Sequence, residues 1–180
     1  MTYIEKTKSD VKIPEKVNVK LENNTIYIKG EKGELDRYFS HPKITLKLNN
    51  NVIEIHGKDI RRKEKAIIGA ITAHINNMIL GVTKGFEYKM KTVFSHFPIK
   101  TVVEKNQFII QNFLGERSPR RVEILPGIKV EVKGEYVTIK GIDKEKISQT
   151  VANIERASIV RNRDIRVFQD GVYLISAGDK

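Results

Sequence analysis

The chain has 180 residues, no cysteine, and a formal net charge of +11 from 33 basic and 22 acidic side chains. The lack of cysteine excludes disulfides, cysteine nucleophiles and zinc knuckles, and no apolar run approaches the ~20 residues of a membrane span. The charge favours a polyanionic partner, nucleic acid before an acidic membrane, although a soluble protein with a basic surface is the simpler alternative.

The opening segment, MTYIEKTKSDVKIP, lacks the apolar core of a signal sequence, so we expect the protein to stay in the cytoplasm. Four segments then alternate apolar and polar residues around short polar turns and predict two β-hairpins: residues 17–21, 25–29, 44–48 and 52–56. Asp59 is the predicted N-cap of a helix of roughly six turns, because apolar residues recur at helical spacing from Ile60 to Val82.

The second half of the chain has the same pattern. Hairpin strands are predicted at residues 99–103, 108–110, 128–132 and 136–140. Asp143 is the predicted cap of a shorter helix that carries Ile147, Val151, Ile154 and Ala157. Residues 88–94 and 165–175 are predicted as additional strands.

The two halves share a repeated sequence. Residues 42–59, PKITLKLNNNVIEIHGKD, recur without a gap at residues 126–143 as PGIKVEVKGEYVTIKGID, and a similar match links residues 21–34 with 103–116. Two copies of about 80 residues indicate a duplicated domain rather than a solenoid. We therefore predict an α+β fold of two duplicated domains, 1–84 and 85–180, each a small antiparallel sheet covered on one face by one helix, with equal strand order in both.

The sequence contains no recognisable active site. The four histidines are scattered, and no two of them share the spacing of metal ligands on one element. The glycine-containing loops at residues 30–33 and 81–85 match neither a P-loop nor a dinucleotide fingerprint, and no serine lies in a nucleophile elbow. We expect no enzymatic activity, no metal and no cofactor.

Arginine is distributed unevenly, although charge is not. Residues up to Lys84 include 16 basic and 10 acidic side chains, and the rest include 17 and 12, but seven of the ten arginines follow residue 116. They form one group at Arg117, Arg120 and Arg121 and another at Arg156, Arg161, Arg163 and Arg166. The planar guanidinium grips phosphate with two hydrogen bonds, so these groups favour RNA contact. The alternative is surface ion pairing with Glu116, Glu155 and Asp164.

The predicted strand near the C-terminus adds an orientation to this second group. Alternation would place Arg166 and Phe168 on one face and Ile165 and Val167 on the other. An arginine beside an exposed phenylalanine suits RNA, because one contacts phosphate and the other contacts sugar or base.

Three segments resemble the archaeal type of the large-subunit ribosomal protein L-six family: residues 77–90 (NMILGVTKGFEYKM), 125–155 (LPGIKVEVKGEYVTIKGIDKEKISQTVANIE) and 159–174 (IVRNRDIRVFQDGVYL). The resemblance covers nearly the whole chain. It implies two α+β domains that arose by duplication and a structural role without catalysis. It also implies binding of large-subunit (23S-type) ribosomal RNA, mainly by the second domain, near the sarcin–ricin loop and the base of the factor-binding stalk.

The resemblance also implies where RNA is contacted. The loop of residues 117–121 matches the family's basic loop, and residues 161–173 match its RNA-facing tail, where bacterial members end instead in a lysine- and glycine-rich motif. The expected RNA-binding residues are Arg117, Ser118, Arg120, Arg121, Lys144, Arg156, Arg161, Arg163, Arg166, Phe168 and Gln169. The expected partners are large-subunit RNA and neighbouring ribosomal proteins, with no membrane and no small-molecule substrate.

Three other functions compete with this hypothesis. A basic architectural DNA-binding protein would need a recognition helix, yet both predicted helices have apolar faces that their sheets require. A protein-interaction module outside the ribosome fits the first domain best, because that domain is poor in arginine. An enzyme with an unusual site would need a pocket with strongly shifted carboxylate pKa values.

Overall fold

A computed structural model describes residues 4–49 and 51–178 of the chain. Contacts within the chain divide it into two compact units, which we call the first and second domains. The first ends at Gly85, and the second begins at Phe86. Each domain has its own hydrophobic core, built from β-strands and one α-helix.

The first domain contains six strands and one helix. These are β1 (Ile4–Lys12), β2 (Asn18–Glu22), β3 (Thr25–Gly30), β4 (Gly33–Tyr38), β5 (Ile44–Asn49), β6 (Val52–Ile60) and α1 (Arg62–Thr83). The strands form two antiparallel sheets, one in the order β1-β6-β5 and the other in the order β2-β3-β4. Helix α1 packs on strands of both sheets and closes the core between them.

The second domain contains seven strands, one helix and a short 3₁₀ turn at Phe113–Gly115. The regular elements are β7 (Phe86–Val93), β8 (Lys100–Glu104), β9 (Gln107–Gln111), β10 (Arg120–Glu123), β11 (Lys129–Lys133), β12 (Tyr136–Gly141), α2 (Lys144–Ala157) and β13 (Gly171–Ala177). Its two antiparallel sheets have the orders β11-β12-β7-β13 and β10-β9-β8.

The strand orders of the two domains are the same. Strands β1, β6 and β5 of the first domain correspond to β7, β12 and β11 of the second, and β2-β3-β4 correspond to β8-β9-β10. Strand β13 has no counterpart and pairs with the free edge of β7. The predicted α+β class and duplicated arrangement are confirmed, with the strands of each domain divided between two small sheets.

Alternation along the strands builds both cores. In β5 and β6 every second residue is buried, as at Ile44, Leu46 and Ile55, and α1 adds a buried stripe that includes Ile68 and Ile75. The second domain has the same design in β12 and α2. Period-two burial on strands and helical spacing on helices were the signals that predicted these elements.

The start of the first helix differs from the prediction. Asp59 is not an N-cap, because β6 stays paired with β1 as far as Ile60, and the helix begins only after Arg61. The carboxylate of Glu64 accepts the backbone N–H of Arg61 at 2.8 Å, so this donor at the start of the helix has a partner. In the second domain Asp143 caps α2 as predicted, accepting the backbone N–H of Glu145 at 2.9 Å.

The strand predicted over residues 165–175 is also wrong in its first half. The carboxylate of Asp164 accepts the backbone N–H of Arg166 at 2.9 Å, and the backbone carbonyl of Asp164 accepts the backbone N–H of Phe168 at 2.9 Å. These bonds close a turn over the segment that alternation had suggested was extended. Ile165 and Val167 are accordingly 70% and 57% exposed, and regular pairing begins only at β13.

Helix α1 is the one helix within the described residues that is long and apolar enough, by length and composition alone, to cross a bilayer. Its apolar stripe, which includes Ile68, Ile75 and Val82, is buried against the sheets of its own domain. That is the packing of a core helix.

Candidate nucleic-acid interface

Strand β10 sends its two arginines to opposite faces of its sheet. Arg120 lies on the same face as Val122, which is 7% exposed and part of the core beneath α2. Arg121 is exposed on the other face and pairs across the sheet with Ile109. Adjacent arginines in the sequence therefore have different surroundings.

Arg120 is almost fully engaged within the domain. Its Nε and Nη2 atoms donate to the carboxylate of Glu116 at 2.8 and 2.5 Å. Its Nη1 donates to the carbonyl oxygens of Ala157 at 2.7 Å and Ile159 at 3.2 Å. Its guanidinium carbon lies 4.0 Å from the ring centroid of Phe113. This residue forms the ion pair that was the alternative to RNA contact, and it joins the basic loop to the end of α2. Its contact with RNA stays a prediction.

The two arginine groups, far apart in sequence, meet at this end of the second domain. A surface pocket of about 360 Å³ is lined by Arg120, Arg156, Ala157 and Arg161. The hydrogen bond from Arg120 lowers the pKa of Glu116, and the charge of Arg163 lowers it further, so Arg163 also faces this region. We call Arg120, Arg156, Arg161 and Arg163 the arginine cluster.

Two members of the arginine cluster have free cationic heads. Arg156 and Arg161 are exposed, and neither forms an ion pair with any residue that the structure describes. Arg156 lies in the last turn of α2, where a cation is favourable beside the unpaired carbonyls of the helix. A phosphate at this pocket would therefore meet guanidinium groups that are not already neutralised.

The turn after α2 orients the remaining basic residues. Asn162 has a left-handed backbone, with φ of 58°, and separates Arg161 from Arg163. Arg163 lies over the ring of Phe168 at 4.8 Å. Arg166 is paired instead with Asp164 at 3.0 Å, and this contact lowers the pKa of that carboxyl. Arg166 thus forms the ion pair that was the alternative, and its contact with RNA stays a prediction.

Other predicted residues lie outside the arginine cluster. Arg117 and Ser118 are exposed in the loop before β10. Lys144 lies over the ring of Phe86 at the first residue of α2, about 18 Å along the helix axis from Arg156. Gln169 is exposed and donates to the carbonyl of Arg166 at 3.4 Å.

Sequence reasoning missed a loop of aromatic residues beside the arginine cluster. Phe94, His96 and Phe97 follow β7, and the ring of His96 lies 5.0 Å from that of Phe168. Phe97 lies beside Gly115, where an added Cβ would be 3.6 Å from the ring carbons. The signal was present, since three aromatic rings stand within four residues directly after a strand.

No constellation typical of an enzyme appears in this region. Within residues 4–49 and 51–178, no three histidine, aspartate or glutamate side chains lie close enough together to hold a metal ion. The carboxylates with lowered pKa values, such as Glu116 and Asp164, are paired with arginine rather than with each other. The arrangement is suited to binding an anion.

Comparison with known proteins identifies the family of the chain. The model of the family described as "Ribosomal protein L6" matches residues 13–85 and again residues 97–171. The chain belongs to the ribosomal protein L6 family. The double match agrees with the two topologically equal domains. Family membership also confirms the predictions of a ribosomal protein and of a chain that is not an enzyme.

Archaeal relatives resemble the chain over most of its length. "Large ribosomal subunit protein uL6" of Methanobrevibacter smithii is 49% identical over 169 residues, covering 94% of this chain and 95% of the relative. The proteins of the same name from Ignicoccus hospitalis and Aeropyrum pernix are each 46% identical, covering 91% of this chain and 91% of the relative.

Proposed function

We propose that this protein is a structural constituent of the large ribosomal subunit and that it binds the RNA of that subunit mainly through its second domain. Its archaeal relatives are named as proteins of the large subunit, so it acts in the cytoplasm within the ribosome. Neighbouring ribosomal proteins are further partners.

The convergence of the arginine cluster supports the second domain as the RNA-binding part. Arg156, Arg161 and Arg163 come together at one end of a folded domain, and Arg120 fixes the loop beside them. The last turn of α1, at the equivalent end of the first domain, contains no basic residue. The local density of guanidinium groups therefore differs between domains whose formal charges are nearly equal.

The binding mechanism is electrostatic and geometric. Arginines that neutralise phosphates release condensed counterions, so affinity falls as salt rises. The internal hydrogen bonds of Arg120 also favour binding, because they hold the basic loop in place and groups that are already positioned lose less entropy when RNA binds. Contacts of this kind recognise the shape of folded RNA more than its sequence.

The finer proposal places the protein near the sarcin–ricin loop and the base of the factor-binding stalk. It is supported by the resemblance of residues 125–155 and 159–174 to the archaeal type of the family. In that position the protein would help to hold the RNA surface on which translation GTPases bind.

Hydroxyl-radical footprinting of large-subunit RNA freed of protein tests this proposal. With the full-length chain bound, we expect protection in the sarcin–ricin loop and at the base of the stalk. Excess duplex DNA should leave the footprint unchanged. A footprint elsewhere would contradict the finer placement, and displacement by DNA would favour an architectural DNA-binding protein instead.

A further inference from the structure

The loop between β7 and β8 carries three aromatic rings that are partly exposed to solvent. Phe94 is 37% exposed and Phe97 45% exposed, and the side chain of His96 is 43% exposed. We call residues 94–98 the aromatic loop. Single exposed apolar residues are ordinary, but three neighbouring rings on one short loop are a feature that calls for a ligand.

The aromatic loop is held in place by Asp170, the residue before β13. The backbone N–H of Ser95 donates to Oδ1 of Asp170 at 2.6 Å, and Oδ2 of the same carboxylate lies 3.7 Å from Nδ1 of His96. Asp170 is only 1% exposed. A buried carboxylate that bonds the loop backbone holds the rings in position before any ligand arrives, which reduces the entropy that binding must cost.

The loop is continuous with the arginine cluster. His96 stacks beside Phe168, and Phe168 carries Arg163 over its ring. Phe97 lies against Gly115, next to Glu116, which anchors Arg120. Exposed rings therefore border guanidinium groups on two sides.

We propose that the aromatic loop stacks unpaired nucleobases of the large-subunit RNA, with Phe97 as the principal platform. Single-stranded loops and bulges offer bases that stack on aromatic rings while their phosphates bind arginine. The charge of the bordering arginines favours this occupant, because an apolar protein surface would have to desolvate them. The inference rests on the proposed function and deepens it, since it names the RNA feature that is bound.

A tryptophan reporter gives a direct test, because the chain contains no tryptophan. The F97W variant is titrated with large-subunit RNA freed of protein, and indole emission is followed. Stacking on a base should quench the emission as the complex forms. Y38W is the matched control, because Tyr38 is 65% exposed in the first domain, and its emission should not change. Binding of F97W without quenching overturns the proposal.

Salt titrations separate stacking from charge. F97A and F97L should weaken RNA binding roughly fivefold to a hundredfold, with an unchanged dependence of affinity on salt. F97W keeps an aromatic ring and should bind RNA with the affinity of the wild type. F97L keeps apolar volume without the ring, so it serves even if F97A unfolds. Wild-type affinity in F97L overturns the proposal.

Three further outcomes show which part of the hypothesis is wrong. If F97L binds free RNA normally but fails to enter complete subunits, the loop contacts a protein and the inference is wrong. If the wild-type chain itself does not bind large-subunit RNA, the proposed function has failed. If the wild type and the Phe97 variants all bind large-subunit RNA with the same affinity, only the stacking inference is wrong and the proposed function stands.

Discussion

Arg120 connects three parts of the second domain through one side chain. It donates to Glu116 in the basic loop and to Ala157 and Ile159 at the end of α2, and it covers the ring of Phe113. Arg121, its neighbour, makes no such contacts and is exposed. Arg120 therefore has a structural role within the domain, whereas the contact of Arg121 with RNA stays a prediction.

R120A should lower the free energy of unfolding by about 1–3 kcal/mol, because charge-assisted hydrogen bonds are lost and two carbonyl groups lose their donor. R121A is the matched control and should change that free energy by less than about 0.5 kcal/mol. Urea denaturation followed by circular dichroism measures both. Equal effects of the two variants would show that Arg120 is an ordinary surface residue.

The Arg120–Glu116 contact should also make stability depend on pH. The hydrogen bond from Arg120 holds the pKa of Glu116 below its ordinary value of 4.5. Its stabilisation is therefore fully present above about pH 4.5 and is lost as pH falls through the lower folded value.

We expect E116Q to be less stable than the wild type near neutral pH, and the difference to shrink as pH falls below about 4.5. Urea denaturation across this range provides the measurement. Other carboxylates contribute to acid unfolding in both proteins, as at Glu54, whose pKa is lowered to about 2 chiefly by the hydrogen bond from Lys8. A difference that stays constant with pH would contradict the role given to Glu116.

At the scale of elements, β13 and the end of α2 are joined by Ser158. Ser158 is buried, with 4% of its surface exposed. Its hydroxyl accepts the backbone N–H of Val172 at 3.0 Å and donates to the carbonyl of Glu155 at 3.0 Å. One serine thus holds the added strand against the helix that carries Arg156.

S158A should destabilise the protein by about 1–3 kcal/mol, because the N–H of Val172 would remain buried without its acceptor. The control is S118A, at an exposed loop position, for which the change should stay below about 0.5 kcal/mol. Thermal unfolding reports both. If S158A is as stable as the wild type, the bonds of Ser158 do not hold β13 against α2, and the bond from the N–H of Leu174 to Glu155 is the remaining candidate.

For the whole molecule, duplication has produced equal topologies with different ends. Strand β7 has β13 on its outer edge, whereas β1, in the same place in the first domain, pairs only with β6 among the described strands. The arginine cluster and the aromatic loop also belong to the second copy. The fold was retained in both domains while the surface features we assign to RNA binding accumulated in one.

Sequence patterns predicted what local periodicity determines. The alternating strands and the Asp143 cap are determined by residues close together in the sequence, and the repeat is visible in the sequence itself. Asp59 failed as a cap because pairing with β1, a distant strand, prolongs β6. The prediction of a strand directly after Asp164 was wrong because the carboxylate of that residue closes a turn, and alternation of residue types does not indicate such a turn.

The site was harder to predict than the fold, because its residues meet only through tertiary contacts. Residue type identified both arginine groups, but not their convergence or the internal engagement of Arg120. The aromatic loop was visible in the sequence, yet its place beside Arg163 depends on the contact between His96 and Phe168.

We infer that arginines of the second domain, rather than the net charge of the whole chain, determine the affinity for RNA. Two full-length triple variants test it with an equal change in charge. One replaces Arg156, Arg161 and Arg163 by alanine, and the other replaces Arg62, Lys63 and Lys65, which are exposed in the first domain. Both are titrated with large-subunit RNA at several salt concentrations, after thermal unfolding has shown that they fold.

We predict that the second-domain variant binds at least about tenfold more weakly, a loss of about 1.4 kcal/mol, and that the slope of log affinity against log salt falls by about two to three. The first-domain variant should keep the wild-type slope and lose no more than about twofold in affinity. Equal losses and equal slopes in the two variants would contradict the claim.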